Sequence, residues 1–136
     1  MQLVLDCSVA IAWLFEDEAS AFTDLALDHV TRHGAVVPGV WTFEIASALL
    51  VAVRRGRTTY TSVEAHLALL RRPRLEIVPP PSFGELHDLC DLALLSNLSP
   101  YDAAYLQLAQ ARGLPLATLD KKLANAAIAQ GIQLFQ

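Results

Sequence analysis

Short apolar runs alternate with longer amphipathic segments along almost the whole chain, and this alternation restricts the possible folds more than any other feature. Short runs of apolar residues indicate buried strands, whereas apolar residues that recur every three to four positions indicate helices. The predicted strands span residues 2–6, 35–37, 75–79, 115–120 and 132–135. The predicted helices span residues 8–17, 19–33, 40–54, 59–71, 83–96, 99–113 and 121–130. Strands that alternate with helices in this way favour a layered α/β fold with a mainly parallel sheet.

The chain is predicted to form a single domain over residues 1–136. It contains no internal repeat and no low-complexity linker, and the three prolines at 79–81 are interpreted as a turn within the domain. Hydrophobic residues make up 54% of the chain, whereas soluble domains usually contain about 45–50%. A chain of this size can bury a substantial core without disulfides. The apolar excess indicates a surface that docks on a second copy or on a partner helix.

The cysteines and the N-terminus predict a cytoplasmic protein. Cys7 and Cys90 are the only cysteines, and their separation fits neither a disulfide framework nor a metal-binding motif. No apolar run approaches the length of about 20 residues that a membrane-spanning helix needs. The N-terminal residues MQLVLD do not resemble a signal peptide.

One glutamate, Glu44, stands in the otherwise apolar and small-residue stretch VWTFEIASALLVAV at residues 40–53. The nearest basic residue along the chain is Arg54, more than two helical turns away, and the neighbours at three and four positions offer no cation. Burial of an ionised carboxylate is costly unless its charge is compensated. Glu44 also lies too far into its helix to cap it. The compensation must therefore come from another part of the fold or from a bound ion.

Three further acids share a position in the predicted fold with Glu44. Asp6 and Asp120 end predicted strands, and Asp102 lies in the first turn of its helix, as Glu44 lies near the start of its own. Ligand sites of parallel α/β sheets form outside the carboxyl ends of the strands, so the four acids could converge there. Asp6 and Asp120 could equally be helix N-caps. Asp102 follows Ser99 by three residues, as in a capping box.

A cluster of four carboxylates predicts a divalent metal site, because the acids would repel each other and could not all remain ionised without added positive charge. Magnesium and manganese prefer oxygen ligands and are commonly held by a few carboxylates together with a substrate phosphate. Such a site suits phosphoryl transfer, in which the metal activates a water molecule. The chain has neither a GxxxxGK[ST] loop nor a GxSxG motif, which argues against a nucleoside triphosphatase and a serine hydrolase.

Two hydroxyl residues and two basic clusters have both functional and structural interpretations. Ser8 and Thr118, each two positions from an acid, either orient that acid or a metal-bound water, or satisfy nearby backbone groups. The basic clusters either stabilise helix C-termini or form a rim that binds phosphate; they comprise Arg54, Arg55 and Arg57, and Arg71, Arg72 and Arg74. The net charge of −4 argues against a protein that coats nucleic acid by charge alone, but not against brief contact through a metal.

Four segments, LDCSVAIAWL, WTFEIASALL, SPYDAAYLQLA and LATLDKKL, together resemble the PIN-domain family, and more narrowly the VapC-type toxins of bacterial toxin–antitoxin pairs. The resemblance covers nearly the whole chain in the family's order and spacing. It implies a three-layer α/β/α fold with a central, mainly parallel sheet. It also implies a Mg²⁺- or Mn²⁺-dependent ribonuclease that forms a homodimer and is held inactive by a small antitoxin protein.

The resemblance also implies roles for individual residues. Asp6 and Asp102 would be direct metal ligands, and Glu44 and Asp120 would complete the acidic site through direct or water-mediated contact. Ser8 and Thr118 would be supporting hydroxyls.

The resulting hypothesis is an endoribonuclease that hydrolyses RNA phosphodiesters with a metal-activated water. The resemblance implies products with a 5′-phosphate and a 3′-hydroxyl. The alternatives are a metal-dependent phosphatase or a DNA nuclease with the same acidic site, and a non-catalytic binding module that acts through its apolar surface. Growth arrest on expression without an antitoxin would distinguish an active toxin from an inert module.

Overall fold

The computed structural model describes residues 1–136 and contains four strands and seven α-helices. The strands are β1 (Leu3–Leu5), β2 (Ala35–Pro38), β3 (Leu75–Val78) and β4 (Leu116–Ala117). The helices are α1 (Cys7–Ala12), α2 (Ala21–His33), α3 (Val40–Arg54), α4 (Val63–Leu70), α5 (Leu86–Ser96), α6 (Pro100–Arg112) and α7 (Lys121–Ala129). All strand pairs are parallel, in the order β3-β2-β1-β4. The predicted α/β class with a parallel sheet is thus confirmed.

The two central strands form the centre of the hydrophobic core. Every residue of β1 and β2 is buried, which explains why both strands read as continuous apolar runs instead of alternating ones. Helix α6 packs against β1, β2 and β4, and α5 and α7 contact α6. Helix α1 contacts both α2 and α3. The helices flank the sheet, as expected for right-handed connections between parallel strands.

The strand order reverses direction at β1, and this reversal determines where a site can form. The chain proceeds from β1 outward to β2 and β3, and then returns across the sheet to β4 on the opposite side of β1. In open parallel sheets, the crevice outside the carboxyl ends of strands at such a reversal is the usual location of a ligand site. The residues that follow β1 and β4 therefore lie at the favoured place for chemistry.

Glycine at position 34 ends α2 as predicted, for a reason that involves both backbone conformation and space. Its φ of 77° lies in the region that residues with a Cβ atom rarely adopt. A Cβ atom there would also lie 2.8 Å from the carbonyl oxygen of Arg74. The same carbonyl accepts a hydrogen bond from the amide of Ala35 at 3.0 Å. The glycine thus lets β2 begin directly beside the segment that leads into β3.

The predicted helix at 8–17 is present but shorter than predicted. Helix α1 ends at Ala12, and Glu16–Glu18 forms a separate 3₁₀ turn. The indole N–H of Trp13 donates to the carbonyl oxygen of Thr23 at 2.8 Å, and Arg57 bonds to the side chains of the acidic turn at 2.9 Å. These long-range contacts hold the chain away from a continuous helix.

The predicted boundaries of several other elements were also too wide. The helices at 59–71 and 83–96 each begin with a 3₁₀ turn, Tyr60–Ser62 and Phe83–Glu85. The strand at 115–120 pairs only over Leu116–Ala117, because Thr118 and Leu119 bond to the side chains of Asp6 and Ser8 and Asp120 caps α7. The strand at 132–135 is reduced to one bridge between Leu116 and Leu134. None of the helices has the combination of length and apolar character needed to cross a membrane.

Candidate active site

Asp6 is the central acid of the candidate site. It follows β1 directly, and only 6% of its surface is exposed. Its Oδ2 atom accepts hydrogen bonds from the hydroxyls of Ser8 at 2.6 Å and Thr118 at 2.7 Å. Burial raises the pKa of Asp6 and the nearby charge of Asp120 raises it further, whereas the two hydroxyl bonds oppose the shift. Asp6 stands at the N-cap of α1 but makes no capping bond with its side chain, so the capping interpretation is wrong for this residue.

The two hydroxyls next to Asp6 join the ends of β1 and β4. Ser8 Oγ accepts from the amide of Leu119, and Thr118 Oγ1 accepts from the amide of Asp120, both at 3.0 Å. Each oxygen therefore accepts from the backbone and donates to Asp6. Both hydroxyls thus orient an acid and also satisfy backbone groups, but Thr118 orients Asp6 and not Asp120, the acid two positions after it.

Glu44 receives its hydrogen bond from a residue that is distant in sequence. It is half-buried in the second turn of α3, and the hydroxyl of Tyr105 donates to its Oε1 at 2.5 Å. Burial raises the pKa of Glu44, the charges of Asp6 and Asp102 raise it further, and the tyrosine bond opposes the shift. No cation pairs with Glu44. The phenol satisfies one oxygen atom of the carboxylate and leaves its charge uncompensated.

Asp102 is half-buried in the first turn of α6. The hydroxyl of Ser99 accepts from the amide of Asp102 at 3.1 Å, which caps the helix. The Asp102 side chain makes no return bond to the amide of Ser99, so the capping box considered from the sequence does not form. Burial raises the pKa of Asp102, with further increases from Asp120 and Asp6, while the positive charge of Lys122 opposes the shift. The Asp102 carboxylate is thus available for another role.

Asp120 is exposed and caps α7. Its Oδ1 atom accepts from the amides of Lys122 at 2.9 Å and Leu123 at 3.2 Å. The capping interpretation is therefore confirmed for this acid, which does not prevent Oδ2 from binding a ligand. The negative charge of Asp120 raises the pKa values of both Asp6 and Asp102. The cap thus keeps this charge next to the two other acids.

The four acids form one electrostatic group, although they are not in close contact. Asp6 influences the pKa values of Glu44 and Asp102, and Asp120 influences those of Asp6 and Asp102. None of the four forms a salt bridge with lysine, arginine or histidine. Their oxygens are more widely spaced than those of a compact ligand set, since no three of them lie within 4.8 Å of one another. The arrangement concentrates negative charge and leaves space between the carboxylates.

The remaining candidates lie outside this group. The compact set formed by His87, Asp88 and Asp91 is exposed on α5. Cys7 is buried beside the acids, and desolvation, followed by the charges of Glu44 and Asp6, raises the pKa of its thiol to about 12. It therefore remains a protonated thiol at neutral pH.

The basic clusters follow the ends of α3 and α4. Arg57 bonds to Asp17 and Glu18, and Arg71 bonds to Glu64. On α3, Arg54 lies ten residues after Glu44, which corresponds to roughly 15 Å along a helix. The first cluster thus lies about three turns from the acid on its own helix. Arg57 of the first cluster and Arg71 of the second are thus already paired with acids of the chain.

Sequence interpretation missed two residues near the acids. None of the surface of Tyr105 is exposed, and its bond to Glu44 was not predicted. Its position three residues after Asp102, on the same side of α6, was the available signal. Lys122 was not considered, although it follows Asp120 by two residues and its charge acts on Asp102.

The chain resembles known proteins both in sequence and in structure. The sequence profile of the PIN domain matches residues 3–129. The chain is 30% identical over 128 residues to the VapC ribonuclease Mb0985 of Mycobacterium bovis, covering 94% of this chain and 93% of that protein. The same values apply to ribonuclease VapC9 of Mycobacterium tuberculosis. The crystal structure of PAE2754 from Pyrobaculum aerophilum is similar with a TM-score of 0.70 and 22% identity, over 93% of this chain and 79% of that one.

Proposed function

Since the chain belongs to the PIN-domain family, we propose that it is a metal-dependent endoribonuclease and the toxin of a type II toxin–antitoxin system. Both curated relatives described above are named ribonucleases, and they align with this chain over almost their entire length. The observation that carries the proposal is the group of four carboxylates, which repel one another and form no salt bridge with a basic side chain. A cation bound among these carboxylates, at the carboxyl ends of the strands, would relieve their repulsion.

The residues fit a hard divalent cation. Asp6, Glu44, Asp102 and Asp120 offer carboxylate oxygens, the ligand type that Mg²⁺ and Mn²⁺ prefer. The spacing of the acids suits a cation that keeps several waters and binds a substrate phosphate, as Mg²⁺ commonly does. When bound, such an ion activates water and stabilises the negative charge that develops on a phosphodiester during hydrolysis.

The protein's own contribution is to hold the acids in place and ionised. Ser8 and Thr118 donate to one oxygen of Asp6, which orients its carboxylate and favours its charged form. The α7 cap orients Asp120 through Oδ1. Lys122 supplies a positive charge close to Asp102 that favours the ionised form of its carboxyl. These contacts preorganise the site before the substrate arrives.

The proposed partners are RNA, a cognate antitoxin protein and a second copy of the chain, and the proposed location is the cytoplasm. Exposed apolar side chains support the expectation of a protein partner. A groove of about 570 Å³ lies between the start of α3, the prolines that follow β3, and helices α5 and α6. Phe43 at its edge is 79% exposed. Light scattering of the purified chain, alone and with the antitoxin, tests for the second copy and for the antitoxin.

The decisive test of the proposed activity is RNA cleavage by purified protein. A panel of structured and single-stranded RNAs is incubated with Mg²⁺ or Mn²⁺ and, in parallel, with EDTA. We expect discrete metal-dependent cuts from wild type and none from Asp102→Asn, because this substitution removes one charged ligand. The matched control is Asp24→Asn on α2, where the acid is exposed and belongs to no cluster.

Two outcomes would contradict the proposal. Full cleavage by folded Asp102→Asn protein would remove this residue from the mechanism. The absence of cleavage by folded wild type, combined with normal growth when the chain is expressed without an antitoxin, would favour a phosphatase or a binding module.

A further inference from the structure

Tyr105 combines complete burial with one specific polar contact. None of its surface is exposed, and its ring belongs to the central hydrophobic core. A buried phenol needs a hydrogen-bond partner, and the hydroxyl donates to Oε1 of Glu44 at 2.5 Å. The two residues are separated by 61 positions. The contact therefore joins the core directly to the acidic group.

This bond links the two helices that supply neighbouring acids. Tyr105 lies one turn after Asp102 on α6, and Glu44 lies on α3. The rigid ring is fixed by the core on all sides, so the position of its hydroxyl is set by the fold. A bond from this hydroxyl consequently fixes the Glu44 carboxylate relative to Asp102.

We infer that Tyr105 is a positioning residue of the acidic site, which holds Glu44 through Oε1 and leaves Oε2 for a divalent cation. The inference rests on the proposed function only in taking the four acids as a cation site. Glutamate has three rotatable side-chain bonds, and its immobilisation costs conformational entropy. When the fold immobilises the side chain in advance, this cost no longer opposes metal binding.

The test compares two tyrosine-to-phenylalanine variants on the same helix. Tyr105→Phe removes only the hydroxyl that binds Glu44. Tyr101→Phe is the control, since Tyr101 is 65% exposed and adjoins Asp102 on its other side. Mn²⁺ affinity is measured by calorimetry without RNA. We expect binding by Tyr105→Phe to be about 10-fold weaker or more, as is typical when a partner of a metal ligand is removed, and binding by Tyr101→Phe to be unchanged.

A double-mutant cycle separates positioning from packing. If Tyr105 acts through Glu44, adding Tyr105→Phe to Glu44→Gln causes little further loss of Mn²⁺ affinity. Equal losses in both backgrounds would overturn the inference, as would an affinity of Tyr105→Phe equal to that of the control. If Tyr105→Phe does not fold, NMR of folded protein provides the test. The Tyr105 hydroxyl proton should exchange slowly in wild type and rapidly in Glu44→Ala, and rapid exchange in wild type would overturn the inference.

Failure of this inference is distinguishable from failure of the proposed function. Wild type that binds Mn²⁺ but cuts no RNA would contradict the nuclease, while the Mn²⁺ affinities of the two variants would still decide the role of Tyr105. Wild type that cuts RNA, together with normal Mn²⁺ affinity in Tyr105→Phe, would contradict only the positioning role.

Discussion

Substitution of Thr118 by valine should destabilise the metal-free protein in a manner that depends on pH. The change preserves the shape of the side chain and removes the hydroxyl that donates to Asp6 Oδ2 at 2.7 Å. A hydrogen bond to a charged group contributes about 1.5–3 kcal/mol. Unfolding entropy near 2.1 cal/mol/K per residue gives roughly 0.3 kcal/mol per kelvin for a chain of this length. The expected decrease in Tm at neutral pH is therefore roughly 5–10 °C.

The pH dependence of this difference follows from the protonation of Asp6. The Thr118 bond favours ionised Asp6 and lowers its pKa, against the larger increase due to burial. The pKa of Asp6 is therefore higher still in Thr118→Val. The bond contributes fully above the pKa of Asp6 and loses most of its contribution as falling pH protonates the carboxyl. The difference in Tm between wild type and Thr118→Val should thus become smaller as the pH falls toward 3.8, the ordinary pKa of aspartate.

The assay is thermal unfolding in EDTA, followed by circular dichroism at neutral pH and again near the ordinary pKa of aspartate. Thr118→Ser is the control that changes the same position but keeps the hydroxyl, so it should retain the pH-dependent part of the stability. Thr42→Val controls for the loss of an exposed hydroxyl, since Thr42 donates only to the carbonyl oxygen of Gly39. A Tm of Thr118→Val equal to that of wild type at neutral pH, or a difference that persists unchanged in acid, would refute the reasoning.

Two further predictions concern the charge at the site and the thiols. Asp6→Asn and Glu44→Gln should each melt no lower than wild type in EDTA at neutral pH, since each removes repulsion and a desolvated charge. This advantage should diminish as pH falls, because the raised pKa values of Asp6 and Glu44 let acid neutralise these carboxyls in the folded wild type before it neutralises ordinary carboxyls. A large decrease in the Tm of either variant would instead indicate a structural role for that acid. Iodoacetamide should alkylate exposed Cys90 readily and Cys7 only on unfolding, because burial raises the pKa of the Cys7 thiol to about 12. Mass spectrometry of the native protein measures this, and rapid modification of Cys7 would show that its surroundings open.

Local sequence patterns predicted the layered fold because buried strands and amphipathic helices each have a distinct periodicity. The end of α1 at Ala12 was not predictable from these patterns. It depends on contacts of Trp13 and Arg57 with residues 10 and about 40 positions away along the chain. The short pairing of β4 has a similar cause, since Thr118 turns toward Asp6 instead of extending the strand.

Part of the candidate site could also be predicted from local sequence patterns. Because Asp6 and Asp120 end predicted parallel strands, the sequence placed both at the same edge of the sheet. It did not distinguish whether each acid caps a helix or binds a ligand. The structure assigns the cap to Asp120 and not to Asp6, a difference that depends on side-chain orientation. The partner of Glu44 could not be read from its neighbours, because Tyr105 becomes adjacent only when α3 and α6 pack together. The roles of the four acids in catalysis remain predictions.

The hydrogen bond between Thr118 and Asp6 spans 112 positions, and this separation has a consequence for the order of events during synthesis. Asp6, which follows β1, is translated 112 positions before Thr118, whose hydroxyl orients the Asp6 carboxylate. A growing chain that lacks β4 also lacks Asp120, so it cannot assemble the acidic group. Under the proposed function, a nascent chain therefore cannot cleave RNA through this acidic group before β4 and Asp120 have been translated.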